Sequence, residues 1–135
     1  MAFSSEHPSQ FDANDPLVAR LREICLDFPE THEEETWGLP NFRVGKRIFV
    51  IAAAGREASA ANTSMWFKPD GEERRAWLQQ PGFFSPPYFG SKGWLGFDLH
   101  DDPGVVDWQL VAELCEDSFR LIALKRTLQK LDARR

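Results

Sequence analysis

The sequence predicts an α+β domain with an antiparallel sheet and helices packed on one face of that sheet. Segments 17–28 and 108–131 repeat apolar residues at spacings of three and four, as amphipathic helices do. Between them, short runs rich in aromatic and β-branched residues are separated by glycine and proline, which is typical of strands joined by hairpins. The predicted order is α-β-β-β-α-β-β-α, with about five strands.

The first predicted element is a helix that follows a mobile polar tail at 1–14. Asn14 or Asp15 can accept hydrogen bonds from the free N–H groups at the start of the helix, and Pro16 suits the first helical position. Pro29 ends the helix because it has no N–H to donate. We therefore expect one domain, over residues 15–135.

Three strands are predicted next. Segments 42–44 and 47–53 flank Gly45 and Lys46, which suit a tight turn between paired strands. The apolar run at 48–51 is continuous, which favours a central strand. Residues 63–68 form the third predicted strand.

The second predicted helix begins at Asp70, whose carboxylate can cap the backbone while Glu73 reaches back to it. Pro81 and Gly82 end this helix, and segments 83–89 and 94–99 then form a second hairpin.

The turn of this second hairpin is Gly90-Ser91-Lys92-Gly93. Because Pro86 and Pro87 cannot both donate to a ladder, this part of the hairpin is expected to lie at a sheet edge or to bend away from the sheet. Asp107 then caps the last and longest helix, which is predicted to continue to about residue 131.

Charge and composition exclude several classes of protein. The 135 residues carry a net charge of −5, which argues against a general nucleic-acid binder. Residues 1–40, with nine acids and two bases, have a net charge of −7, whereas residues 41–135, with fourteen bases and twelve acids, have +2. No apolar run is long enough to span a membrane and no secretory signal is evident, so we expect a cytoplasmic protein. A monomer or weak dimer is expected.

No catalytic motif is present. Cys25 and Cys115 lie in apolar helical patterns far from any histidine in sequence, which indicates buried reduced thiols. The chain has no G-x-S-x-G and no glycine-rich phosphate loop, so a non-enzymatic protein without a cofactor is expected. His32 with Glu33 to Glu35 could hold a hard cation loosely, but a solvated acidic loop at 30–35 is the expected structure, and no metal site is predicted.

Three segments carry a family resemblance: ETWGLPNFRVGKRIF, FFSPPYFGSKGWLGFDL and VDWQLVAELCEDSFRLIALKRTLQKL. In this order and spacing they closely resemble the MmcQ/YjbR family, over about residues 17–131. The most specific element is PPYFGSKGW, at 86–94. The resemblance implies a small bacterial protein with a fold similar to that of the frataxin homologue CyaY, and a DNA-binding label. It implies no catalytic residues.

The first functional hypothesis is contact with DNA through two basic hairpins. Tyr88, Lys92 and Trp94 surround the second hairpin turn, where aromatic rings and a cation suit stacking on bases and contact with phosphates. Arg43, Lys46 and Arg47 at the first hairpin could supply a second contact. The alternative is that Trp94 and Tyr88 cover the edge of the core while Lys92 solvates a turn.

The second hypothesis is a small anionic ligand or a peptide, held in an aromatic pocket around Trp94. Lys68, Arg74 and Arg75 could lie at the rim of such a pocket and pair with the anion. The negative net charge favours this hypothesis over duplex DNA, because a pocket needs only a few local bases.

Overall fold

A computed structural model describes residues 15–54, 63–99 and 103–134. The predicted tail at 1–14 lies outside these ranges, and so do His100, Asp101 and Asp102. Within the described ranges, no helix has the length and apolarity that crossing a bilayer requires.

The strands form one antiparallel sheet in the order β1-β2-β3-β4-β6-β5. Their bounds are β1 Thr31–Thr36, β2 Leu39–Val44, β3 Arg47–Ala54, β4 Thr63–Phe67, β5 Phe83–Phe84 and β6 Leu95–Asp98. The predicted α+β class and antiparallel sheet are therefore confirmed, with six strands described where about five were expected.

The additional strand is β1, which corrects the expected acidic loop. Two of its three carboxylates are paired, one on each side of the strand. Glu33 accepts two hydrogen bonds from Arg22 of the first helix, the shorter at 2.6 Å from Nε, whereas Glu34 accepts from His32 at 2.8 Å. Because β1 is an edge strand with mostly polar side chains, it lacks the apolar alternation by which strands are recognised.

The helices are α1 Pro16–Leu26, α2 Gly71–Leu78, α3 Trp108–Ile122 and α4 Lys125–Asp132. The predicted caps are confirmed: Asp15 accepts from the N–H groups of Leu17 and Val18, Asp70 accepts from that of Glu72, and Asp107 accepts from that of Leu110.

The predicted single C-terminal helix is wrong, because the chain is extended at Ala123 and Leu124, both with ψ of 153°. The break turns α4 so that Leu131 is buried in the core and the Thr127 hydroxyl donates to Glu30 at 3.2 Å. It also leaves Leu121 and Leu124 exposed at the junction.

The main core lies between the sheet and helices α1 and α3. At its centre Phe119 stacks on Phe28, with ring centroids 4.8 Å apart, and meets the edge of Phe49 at 5.4 Å. Phe49 is an extra residue in β3, since Phe42 pairs with Val50 and Arg43 with Ile48. This bulge places Phe49 and Val50 together in the core.

The opposite face of the sheet has a smaller core, which segment 86–94 covers. Ile51, Ala53 and Trp94 are buried there, and Phe89 packs against Trp66 with centroids 5.7 Å apart. The predicted second hairpin is thus corrected in part. Strand β5 ends at Phe84, and residues Phe89–Lys92 form a 3₁₀ turn rather than a strand and a tight hairpin turn.

The two prolines explain this departure from a hairpin. Neither can donate to a neighbouring strand, but their carbonyls accept within the segment, from Phe89 N–H at 2.7 Å and from Gly90 N–H at 2.8 Å. The backbone of Tyr88 adopts a positive φ of 67° between them and the 3₁₀ turn.

Candidate functional site

The described residues form a cavity of about 450 Å³ at one end of the sheet, which we call the basic pocket. It lies where the β2–β3 turn, the end of β4, the start of β6 and the C-terminal end of α3 meet. Its lining residues are Arg43, Lys46, Arg47, Ile48, Lys68, Trp94, Leu121 and Ile122.

Arg43 is the most firmly held cation of the basic pocket. Its Nε donates to Asn41 Oδ1 at 2.9 Å and its Nη2 donates to Thr36 Oγ1 at 3.1 Å. Glu34 Oε1 is 3.7 Å from Arg43 Nε and compensates part of the charge. The hydrogen bond from His32, together with the positive charge of Arg43, holds the pKa of Glu34 below its usual range, so Glu34 is charged at neutral pH.

Lys46 and Arg47 lie at the tight β2–β3 turn, which Gly45 permits by adopting a φ of 61°. Both side chains are exposed. In the part of the chain that the structure describes, no carboxylate lies within 4.0 Å of either one. These two charges are therefore available to an anion from solution.

Lys68 enters the basic pocket from the end of β4. Its backbone N–H donates to Ser118 Oγ at 3.0 Å, and Ser118 Oγ donates to the Phe49 carbonyl at 2.6 Å. A buried hydroxyl on α3 thus joins β3, β4 and the helix. The Lys68 side chain passes Gly93, where a Cβ would lie 3.8 Å from Lys68 Cε, and it forms no ion pair with a described carboxylate.

The remaining wall of the basic pocket is apolar. Trp94 is only 8% exposed and packs edge-on against Phe89, with centroids 5.5 Å apart. It cannot serve as a free stacking platform, because most of its ring is covered. Leu121, in contrast, is 48% exposed beside the cations.

Arg74 forms hydrogen bonds to Ser85 and to segment 86–94, and it does not line the basic pocket. Its Nη2 donates to Ser85 Oγ at 3.2 Å, to the Gly90 carbonyl at 3.1 Å and to the Trp94 carbonyl at 3.4 Å. Arg75 is exposed on α2 and does not line the pocket either. Neither arginine therefore lines the basic pocket, although Arg74 lies beside the backbone of Trp94.

Tyr88 and Lys92 form a second exposed feature, on the 3₁₀ turn. Tyr88 is 67% exposed, and the Lys92 ammonium lies 4.4 Å from its ring centroid and 2.8 Å from its hydroxyl. Neither residue lines the basic pocket. The nearby Trp37 is 45% exposed, contacts Phe89 with centroids 6.3 Å apart, and has a positive φ of 57°.

The sequence-predicted site residues therefore divide into two groups. The basic pocket brings together Arg43, Lys46, Arg47, Lys68 and Trp94, and it does not include Arg74, Arg75, Tyr88 or Lys92. Sequence reasoning missed Ile48, Leu121 and Ile122. The apolar helical pattern of α3 was visible, but the break that leaves Leu121 exposed was not.

Metal ligands and cysteines do not form a site in the described ranges. No group of three or more His, Cys, Asp or Glu side chains there could hold a metal ion.

Cys25 and Cys115 are both buried, as expected, and their Sγ atoms are 3.8 Å apart across the α1–α3 contact. Burial raises the pKa of the Cys25 thiol well above its usual value, and the neighbouring Cys115 raises it further.

Comparisons with known structures agree with this architecture. The crystal structure of Deinococcus radiodurans protein DR2400, which has a DUF419 domain, superposes with a TM-score of 0.65 at 20% identity, covering 85% of this chain and 87% of that one. A protein from Pseudomonas syringae superposes with a TM-score of 0.58 at 15% identity, covering 82% of this chain and 98% of that one. At these identities the likeness shows the fold alone.

The sequence itself supplies the assignment to a family. No curated protein matches it. The family model described as YjbR, however, matches residues 26–121, which run from the end of α1 almost to the end of α3 and include every lining residue of the basic pocket except Ile122. The resemblance predicted from the sequence is thereby confirmed, and the chain belongs to the YjbR family.

Proposed function

We propose that this protein is a non-enzymatic binding module that takes a small anionic ligand in the basic pocket. One observation carries the proposal: four cationic side chains surround one concave site, and three of them, Lys46, Arg47 and Lys68, have no carboxylate partner among the described residues. A cytoplasmic location and a monomeric or weakly dimeric state stay predictions.

The size and chemistry of the basic pocket suit such a ligand. Small-molecule sites generally have volumes of about 300–1,000 Å³ and combine an apolar lining with a few well-placed polar groups. Guanidinium groups bind carboxylates and phosphates in a bidentate manner, and lysines add point charges. Since the whole chain has a net charge of −5, attraction of an anion depends on these local charges.

Arg47→Gln is expected to weaken the binding of pyrophosphate, a compact polyanion, by about 10- to 150-fold, since one charge-assisted hydrogen bond contributes roughly 1.5–3 kcal/mol. Arg75→Gln removes the same charge from an exposed position outside the basic pocket and is expected to leave the dissociation constant unchanged. Isothermal titration calorimetry at low ionic strength measures both. Equal pyrophosphate affinities for the two variants would refute the proposal. So would an unmodified protein that binds neither pyrophosphate nor phenyl phosphate, inorganic phosphate or benzoate.

Nucleic-acid contact is the second candidate function, and the exposed Tyr88–Lys92 pair favours it. An aromatic ring beside a cation can stack on an unpaired base while the ammonium meets a phosphate. Lys46 and Arg47 offer a further exposed basic turn. Trp94 does not contribute to stacking, because its ring is covered.

If nucleic acid is bound, affinity for single-stranded DNA should fall steeply with salt, and Lys92→Ala should reduce the slope of log K against log salt by about 0.7, the value for one phosphate contact. Lys125→Ala, at the start of α4, removes a cation from an exposed position elsewhere and should leave the slope unchanged. Fluorescence anisotropy over a salt series gives the slopes. No binding at low salt, or identical slopes for both variants, would count against this function.

A further inference from the structure

We infer that the ligand of the basic pocket is an organic phosphate: a phosphate ester that carries an apolar aryl or alkyl group. This inference rests on the proposed function and specifies its ligand. It draws on two properties of the pocket, the number of uncompensated cations and the exposed apolar surface beside them.

The number of cations favours phosphate over carboxylate. Glu34 compensates Arg43 in part, but Lys46, Arg47 and Lys68 form no ion pair with any carboxylate in the described ranges. A carboxylate brings one negative charge and two oxygen atoms. A phosphate monoester brings a charge of about −1.5 to −2 at neutral pH and three strong acceptor oxygens. It can therefore accept hydrogen bonds from several of these side chains at once.

The apolar wall favours an organic ester over inorganic phosphate. Leu121 lines the basic pocket and is 48% exposed, whereas most leucines of the chain are buried or half-buried. It is exposed because the chain straightens directly after α3, at Ala123 and Leu124. A ligand with an apolar group would remove this surface from water, and an inorganic ion would not.

A second cavity extends the apolar surface beyond the basic pocket. It has a volume of about 170 Å³ and shares Lys46, Arg47 and Ile122 with the pocket. Its other lining residues include the apolar Val44 and Leu124, the latter 60% exposed, and the polar Glu30, Arg126 and Thr127, of which Glu30 pairs with Lys130 at 3.0 Å. Because the two cavities share residues of the β2–β3 turn, an ester whose phosphate contacts the cations of the basic pocket could place its apolar group against Leu121 and Leu124.

The test compares three probes by isothermal titration calorimetry with the full-length protein: phenyl phosphate, inorganic phosphate and benzoate. Phenyl phosphate is expected to bind at least tenfold more tightly than either other probe, a difference of about 1.4 kcal/mol. Equal affinity for phenyl phosphate and inorganic phosphate would overturn the apolar part of the inference and leave the proposed function standing. Equal affinity for benzoate and phenyl phosphate would overturn the phosphate part. Binding of none of the three, with pyrophosphate also inactive, would overturn both.

Two variants assign the effect to the pocket. Leu121→Ser is expected to reduce the advantage of phenyl phosphate over inorganic phosphate about threefold without changing the affinity for inorganic phosphate. Val105→Ser is the control, because Val105 is an apolar side chain that is 60% exposed and lies outside both cavities. This variant should change neither the affinity for phenyl phosphate nor that for inorganic phosphate. If both variants keep the full advantage of phenyl phosphate, the apolar wall is not where the ring binds and the inference fails.

Discussion

Ser118→Ala is expected to lower the free energy of unfolding by about 2–3 kcal/mol, because it leaves two backbone groups without their hydrogen-bond partner. Ser118 is fully buried on α3. Its hydroxyl donates to the Phe49 carbonyl at 2.6 Å and accepts from the Lys68 N–H at 3.0 Å. The loss of a single oxygen atom therefore affects both the bulge of β3 and the end of β4.

Urea denaturation followed by circular dichroism measures this loss. Ser91→Ala is the matched control, since the Ser91 hydroxyl is exposed and makes one hydrogen bond, to the Tyr88 carbonyl at 2.8 Å. That variant is expected to change stability by no more than about 0.5–1 kcal/mol. Similar stability changes for the two serine variants would show that the buried bridge is not the stabilising interaction.

Gly96→Ala is expected to lower the free energy of unfolding by about 1–3 kcal/mol, because the added methyl group overpacks against the buried ring of Phe84. A Cβ on Gly96 would lie 2.3 Å from Cζ of Phe84 and within 2.7 Å of both Cε atoms. Phe84 is only 6% exposed and its backbone pairs with Gly96, so the ring cannot simply move into solvent. The pairing of β5 with β6 must give way instead.

The control for this substitution is Gly71→Ala, at the first residue of α2. A Cβ there would meet no atom within 4 Å, and alanine is favoured over glycine in helices by up to about 1 kcal/mol. We expect its midpoint of thermal unfolding to stay the same or to rise, while that of Gly96→Ala falls. A Gly96→Ala protein as stable as the unmodified one would mean that Phe84 does not lie over β6 in solution.

The parts of the fold that were predicted from the sequence are those with a strong local signal. Asp15, Asp70 and Asp107 each accept from an N–H group at the start of a helix, and Gly45 forms the turn between β2 and β3. The parts that were missed depend on tertiary structure. Strand β1 has almost no apolar side chains, and the break at Ala123 has no proline or glycine to indicate it.

In the candidate site too, the residues that are close along the chain were easier to place together than those that tertiary structure brings together. Arg43, Lys46 and Arg47 could be placed together because a tight turn keeps them close along the chain. Lys68 lies near these three residues because β3 pairs with β4, and Leu121 lies near them because of where α3 ends. Neither of these tertiary features could be predicted from local sequence. The aromatic segment at 86–94 was predicted to be a contact surface, but most of its aromatic surface packs on the sheet and only Tyr88 is largely exposed.

The buried cysteine pair allows the separation of helices α1 and α3 to be followed by thiol labelling. Cys25 and Cys115 are both inaccessible to solvent, and a thiol with a raised pKa holds little of the thiolate that labelling reagents attack. A thiol-specific reagent can therefore react only when α1 separates from α3. When reclosing is faster than the labelling reaction, the rate of labelling under native conditions, divided by the rate for the unfolded protein, gives the free energy of that separation without denaturant and without an introduced cysteine.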